Sequence, residues 1–400
     1  MQLTNPDSPT TAASAVPNRT AGARPLDVLL VSNDPRWTAS VREAVAAEGG
    51  VVETVSARAA VARLASAGTR LSHVLVDQNG ADGLLGTLAE LTSDTASAEV
   101  TLLVLGVPTT ANPGPRVIPF ADRQSIAASL AVRHLSAGHS EPTLPAAELL
   151  EVINGEMIET RYQPIVRVAD RLTTAVEVLA RLNHPTHGTV TPDWFVPRFE
   201  DAGLSFTLTN LVSTRALADL TGPVFHGLDL AIALNYPLKV LSHPEAAARL
   251  DERRASLGLT PEQVHIELTE SRPVEDFAAL GRSLEHLRAL GYRISIDDVG
   301  PAVKNLDRLL TLPFTGLKLD KGIVRLIGTQ GPGASFAPRV FEQASARGLT
   351  VVAEGVETQD MWDRLRALGV QEAQGYFIAR PLPAAAVPVW LEAWRATPDG

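Results

Sequence analysis

Ile294-Ser295-Ile296-Asp297-Asp298-Val299-Gly300 is the stretch on which the fold turns. The alternating run from Tyr292 to Ile296 reads as a buried strand, and it closes on two adjacent carboxylates. Side chains alternate along a strand, so neighbouring aspartates cannot both enter a core. They belong at a strand end, where the chain opens and acids can converge on a positive charge. The same grammar recurs in His265-Ile266-Glu267-Leu268-Thr269-Glu270, in Gly316-Leu317-Lys318-Leu319-Asp320 and in Thr350-Val351-Val352-Ala353-Glu354-Gly355-Val356-Glu357. Each is a short apolar strand with polar residues at its C-terminal end, and the repetition implies an architecture.

Extending the pattern in both directions predicts eight strands: 160–166, 172–180, 228–234, 264–268, 292–296, 315–319, 350–353 and 373–378. Helical stretches at 207–220, 275–290, 337–347 and 359–368 separate most of them. Eight strands with outer helices in about 250 residues predict a TIM-like β/α barrel with its site at the C-terminal rim. Only Arg167 to Arg171 joins the first two strands, too short a link for a parallel crossover. The first strand is therefore expected to be antiparallel.

Upstream, strands at 26–31, 51–55, 73–76, 100–105 and 116–118 alternate with helices at 36–48, 57–67, 84–92 and 125–135. This alternation predicts a doubly wound, flavodoxin-like parallel sheet, and an α/β class for the whole chain. The expected organisation is a disordered leader over 1–25, a receiver-like domain over 26–135, a linker over 136–145 and a barrel domain over 146–400. A helix from Ala146 to about Asn154 or Gly155 opens the barrel domain.

The upstream unit resembles response-regulator receiver domains, in which an Asp ending the third strand accepts a phosphoryl group. Asp77 holds that position, and Ser32-Asn33-Asp34 stands where the family places a Mg²⁺-binding acidic pair. Leu105-Gly106 replaces the family's Thr or Ser, and Ile118-Pro119-Phe120 lacks its Lys. Without that charge and hydroxyl a phosphoryl group is poorly stabilised. Asp77 is thus either a phosphoacceptor served by a histidine kinase, or the polar strand terminus of a docking or dimerising unit. The missing groups favour the second reading.

Composition narrows the chemistry. The 400 residues contain no Cys, which excludes disulfides and thiolate metal sites and fits a reducing compartment. The cytoplasm is the expected location. A net charge of -10 argues against broad nucleic-acid binding, and no apolar run approaches the roughly 20 residues needed to span a bilayer. The rim residues are Glu177, Asn235, Glu267, Asp297, Asp298, Lys318, Glu354, Glu357 and Gln374. So many carboxylates in one place need a cation, and an all-oxygen set suits Mg²⁺ or Mn²⁺. The adjacent aspartates suggest a two-ion site, with one Asp bridging, as used for in-line attack on phosphodiesters. Lys318 among these acids would orient a water or stabilise phosphorane charge. Taken singly, each residue has a plainer reading: Asn235 as a turn or helix cap, Lys318 and Asp320 as a surface ion pair. His184 and His187 fit no metal spacing and read as surface residues.

Glu177-Val178-Leu179-Ala180-Arg181 is similar to the ExLxR signature of EAL-domain cyclic di-GMP phosphodiesterases. Tyr162-Gln163-Pro164-Ile165, Pro192, Phe195, Glu200, Asn235, Glu267-Leu268-Thr269-Glu270, Asp297-Asp298, Lys318-Leu319-Asp320, Glu354-Gly355-Val356-Glu357 and Gln374-Gly375-Tyr376 follow in family order, over about 155 to 385. The resemblance implies hydrolysis of cyclic di-GMP to linear 5′-pGpG with two divalent ions. It would place Glu177, Asn235, Glu267 and Asp297 on the first ion, and Asp297, Asp298 and Glu354 on the second. Glu354 would also be the general base and Lys318 would contact the attacking water. Gln163, Leu179 and Arg181 would hold the dinucleotide, with Glu357 and Gln374 completing the pocket. Glu270 would brace the loop after Asp298, and a homodimer would form through this domain. That loop, Val299-Gly300-Pro301-Ala302-Val303-Lys304-Asn305-Leu306, departs from the family's Phe-Gly-Thr-Gly-Tyr-Ser-Ser-Leu. A cyclic di-GMP-binding effector without turnover is therefore the alternative function. No Gly-Gly-Asp/Glu-Glu-Phe signature of diguanylate synthesis occurs.

Overall fold

The computed structural model describes residues 26–66, 71–93, 100–105, 116–118, 126, 130, 146–185, 187–243, 245–269, 276–301, 303, 306–329 and 335–396. Glu270, the expected leader and linker, Gly106, Pro119-Phe120 and most of the helix expected at 125–135 lie outside them.

The N-terminal strands are β1 (Asp27–Val31), β2 (Val51–Val55), β3 (His73–Asp77), β4 (Thr101–Leu105) and β5 (Arg116–Ile118). They pair in parallel in the order β2-β1-β3-β4-β5, the flavodoxin-like arrangement anticipated from the alternation. Alternate residues of β1 feed the two faces of the sheet. Val28 and Leu30 pack with Trp37, Val41 and Val45 of the helix Pro35–Ala47, and with Ile126 and Leu130. Leu29 and Val31 pack with the helices Ala57–Ala65 and Leu85–Ser93 on the other face.

The barrel is built from β6 (Ile158–Arg167), β7 (Thr173–His184), β9 (Ala231–Pro237), β10 (Val264–Thr269), β11 (Arg293–Val299), β12 (Gly316–Leu319), β13 (Thr350–Ala353) and β14 (Glu372–Ala373). Pairing runs β6-β14-β13-β12-β11-β10-β9-β7, and β6 with β7 closes the ring. β6 is antiparallel to both its neighbours, as its short link to β7 requires. The turn is made by Arg171 in the left-handed region at φ 59°. A three-residue strand absent from the sequence reading, β8 (Gly188–Val190), hairpins back onto the end of β7.

Two expectations are corrected. The last strand, read as 373–378, stops at Ala373. Gly375 turns the chain there at φ 152°, and an added Cβ would lie 2.2 Å from the Val356 nitrogen. The chain then coils into a turn, the Ile378 N–H donating to the Gly375 carbonyl at 3.0 Å, and the strand ends. His184 is not a surface residue. It is buried, and its Nε2 lies 2.8 Å from Glu148 Oε1, tying the helix Ala146–Asn154 to β7. His187 stacks on it with ring centroids 4.5 Å apart. Among the described residues no helix is long and apolar enough to cross a membrane.

Candidate active site

The barrel brings together the residues that the sequence scatters over two hundred positions. Gln163 faces Glu177 across β6 and β7, and Asn235 faces Glu267 across β9 and β10. The paired aspartates need a special device, because strict alternation would separate them. Ile296 pairs with Leu317 and Val299 with Leu319, so Asp297 and Asp298 together oppose the single residue Lys318. This is a β-bulge. Asp298 adopts φ 51°, the left-handed region that Asp tolerates better than most residues, and both aspartates line one cavity. The strand does not end before them, as anticipated, but runs on to Val299.

Lys318 occupies the centre. Its Nζ lies 2.6 Å from Glu354 Oε1, 2.9 Å from Glu267 Oε2, 3.1 Å from Asp297 Oδ1 and 3.2 Å from Glu177 Oε2. Its side chain is only 1% exposed, so the plain reading of a surface pair with Asp320 fails. Asp320 instead accepts from the Gly322 N–H and caps the short helix Lys321–Val324. Glu177 is further held by Asn235 Nδ2 at 2.8 Å and Gln374 Nε2 at 2.7 Å.

One ammonium among four carboxylates leaves excess negative charge, and the proton affinities register it. Burial opposes the charge on Lys318, but Asp297, Glu177, Glu267 and Glu354 together hold its pKa well above the usual lysine range. Burial likewise pushes Glu177 up, yet Lys318 and the bonds from Asn235 and Gln374 outweigh it and hold that carboxyl low. Glu267 goes well above the ordinary value, by burial and by repulsion from Glu177 and Asp297 against the pull of Lys318. Burial pushes Glu354 up to about 8, with Asp297 and Glu177 reinforcing it against Lys318. Asp298 rises to about 6, again chiefly by burial and then by Asp297.

These are the marks of a site that wants more positive charge. Asp297, Asp298 and Glu354 each offer an oxygen within 4.8 Å of the others, the one such group of three among the described residues. Asp297 Oδ1 is buried and accepts no hydrogen bond despite its closeness to Lys318. An orphaned acceptor, hard oxygen donors and surplus negative charge fit a divalent cation. Of Asp297, Asp298 and Glu354, Asp298 alone makes no ion pair with the Lys318 ammonium, which also faces Glu177 and Glu267.

Glu177, Asp297, Asp298, Lys318 and Glu354 line a cavity of about 730 Å³, within the range of small-molecule sites, with Glu267 behind them on Lys318. Gln163, Leu179, Arg181, Glu357 and Gln374 all line it, as the sequence reading expects. Gln163 and Arg181 are buried in the wall, Gln163 donating from Nε2 to the Ala379 carbonyl at 3.0 Å. Glu357 pairs with Arg325 at 2.5 Å near the mouth. Tyr376, quoted in the family motif without a role, also lines the cavity, as do Lys321, Arg325 and Asp193, which were missed. No strand-end pattern marks them, since they sit on loops and helix starts. Gly355 permits the approach of Lys321: at φ 64°, its added Cβ would lie 2.3 Å from Lys321 Cβ.

Gly375→Ala puts a methyl group against the Val356 backbone and displaces Gln374 from Glu177. Overpacking of this kind costs about 1–3 kcal/mol. The expected result is a lower melting temperature together with weakened ligand binding. A variant with unchanged melting and binding would show that the segment yields freely.

In the N-terminal unit, Asp77 ends β3 and accepts from the Ser32 hydroxyl at 3.1 Å and from the Asn79 N–H at 3.2 Å. Asp34 caps the helix Pro35–Ala47 and pairs with Arg36 at 2.7 Å.

Comparison with known proteins points to the same barrel fold. The family model of the EAL domain matches residues 146–381. The cyclic di-GMP phosphodiesterase PA2567 of Pseudomonas aeruginosa is 32% identical over 314 residues, covering 72% of this chain and 52% of that protein. The cyclic di-GMP phosphodiesterase RocR of the same organism is 34% identical over 236 residues, covering 58% of each. The chain thus spans little more than half the length of these relatives. Among solved structures, a PaMucR phosphodiesterase in complex with c-di-GMP superposes with a TM-score of 0.56 and 30% identity, over 60% of this chain and 98% of that one.

Proposed function

The chain belongs to the EAL-domain family, and from that premise we propose that it hydrolyses cyclic di-GMP to linear 5′-pGpG. The observation that carries this is the convergence of Glu177, Glu267, Asp297 and Glu354 on Lys318, with Asp298 beside them, where all but Glu267 line a dinucleotide-sized cavity. In the reaction a water oxygen bonds to phosphorus as the bond from phosphorus to O3′ breaks. One end keeps a 5′-phosphate and the other gains a 3′-hydroxyl.

Glu354 takes the proton from that water, and Lys318 holds the water and the developing phosphorane charge. Arg181 binds phosphate, with Gln163, Leu179, Glu357 and Gln374 positioning the rest of the ligand. Glu177, Asn235, Glu267 and Asp297 would hold one divalent ion, and Asp297, Asp298 and Glu354 a second, Mg²⁺ or Mn²⁺. Such ions supply Lewis-acid charge at the phosphate and make water more acidic. Residues 26–135 act as a receiver-like regulatory unit with eroded switch chemistry, in which Asp77 remains the candidate acceptor for a kinase. The EAL domain is the expected dimerisation surface.

The test is incubation of the protein with cyclic di-GMP and Mg²⁺ or Mn²⁺, followed by chromatography. A metal-dependent 5′-pGpG peak is expected. Saturable binding of intact ligand without product would instead identify a receptor. The substituted loop after Asp298, with Pro301 where the family has Thr, favours that second reading.

A further inference from the structure

One peptide unit faces two domains. The carbonyl of Ala379 accepts from Gln163 Nε2 at 3.0 Å, inside the cavity wall. The N–H of Arg380, on the other side of the same C–N bond, donates to the carbonyl of Ala65 at 2.8 Å. Ala65 is the last residue of the N-terminal helix Ala57–Ala65, whose final carbonyls have no partner within the helix. A peptide is planar, so its C=O and N–H point in opposite directions and turn together. Rotation of this unit therefore breaks both bonds at once.

The neighbouring residues continue the wall. Tyr376 and Pro381 line the cavity, and Leu382 exchanges backbone hydrogen bonds with Tyr162, next to Gln163, at 2.7 and 2.9 Å. Behind the wall, the helix Ala57–Ala65 packs against the helix Ala386–Ala396. Ala57, Ala60 and Leu64 share one apolar cluster with Leu382, Ala386 and Trp390. One charge pair lies across this contact, Arg58 with Glu392 at 2.7 Å, and a second, Glu90 of the helix Leu85–Ser93 with Arg161 at 3.8 Å, joins the same two domains beside it. Arg161 lies two residues before Gln163 on β6. The first pair is well exposed on both sides, so it orients the contact and adds little stability.

We infer that the helix Ala57–Ala65 is a brace for the cavity wall, coupled through the 379–380 peptide to Gln163 and so to ligand affinity. The identity of the ligand rests on the function proposed above; the brace does not. Gln163 is a positioning point for the ligand and takes no part in the proton transfer, so loosening the brace raises KM more than it lowers kcat. By linkage, a ligand in the cavity tightens the contact between the domains by the same factor.

The experiment uses the full chain. The double variant R58E/E90K places like charges against Glu392 and Arg161 without altering the barrel, and Ala65→Trp forces the helix away sterically. Hydrogen exchange is followed at 57–65 and 375–382 without ligand, and KM and kcat are measured with cyclic di-GMP. Exchange at 375–382 should quicken, and KM rise, by about fivefold or more, the lower range of coupling between sites. E392R added to R58E should restore part of both. Faster exchange at 57–65 with 375–382 unchanged overturns the inference, as does an unchanged 375–382 in both variants. A wild-type protein that ignores cyclic di-GMP would refute the proposed function, while the exchange data would still judge the brace.

Discussion

Glu354→Gln lowers turnover of cyclic di-GMP by about 10²–10⁴-fold, the usual share of a general base. The amide keeps the shape of the side chain and an oxygen that can face Lys318 Nζ, now 2.6 Å from the carboxylate. What it loses is the capacity to take a proton, together with one of the negative charges offered to the second ion. Folding and ligand binding should therefore persist, read by thermal melting and by titration with cyclic di-GMP. Chromatographic detection of 5′-pGpG measures the loss. Turnover within a fewfold of wild type would remove Glu354 from the role of base and shift it to another group on the cavity floor.

The second large effect concerns stability. Lys318→Met removes the one cation that Glu177, Glu267, Asp297 and Glu354 share, while filling nearly the same volume. Removing one partner of a buried ion pair costs about 3–5 kcal/mol, because an uncompensated charge stays behind. Here four partners are stranded, although some relieve the strain by binding protons. In chelator the variant should melt well below the wild type, by roughly 10 °C for a domain of this size. Mn²⁺ should then raise its melting temperature more than it raises that of the wild type, since the ion supplies the missing charge. Equal melting of the two proteins in chelator would mean that the cluster is indifferent to the ammonium. That would contradict the role of its four short contacts, at 2.6 to 3.2 Å, in holding the cluster together.

Much of the architecture was legible because it is written in local periodicity. The strand β13 appears at its expected residues, 350–353, and the helix 359–368 likewise. The antiparallel first strand followed from the length of one link, five residues that no parallel crossover can use. Glu267, Asp297, Asp298, Lys318, Glu354 and Gln374 were legible because each lies near the end of an apolar run, and the barrel gathers those ends at one rim. Gln163 and Glu177 sit mid-strand, and Gln163 stood out only through the family motif. Lys321 and Arg325 carry no such mark and entered the site only through the segments that hold them.

What the linear chain determined by itself is the element order, the acidic rim and the family, since these depend on spacing along the chain. Tertiary structure decided how the parts are used. Asp297 and Asp298 share a cavity because a bulge sets two residues against Lys318, a matter of register between strands. Lys318 is the buried hub, and Asp320 a helix cap, because the barrel closes around one and leaves the other at its edge. The last strand stops where Gly375 meets the Val356 backbone, a contact between segments about twenty residues apart. His184 is buried by Glu148, and Ala65 meets Arg380, through pairings that no local pattern encodes. Periodicity reports which face of an element is apolar; only packing reports what that face meets.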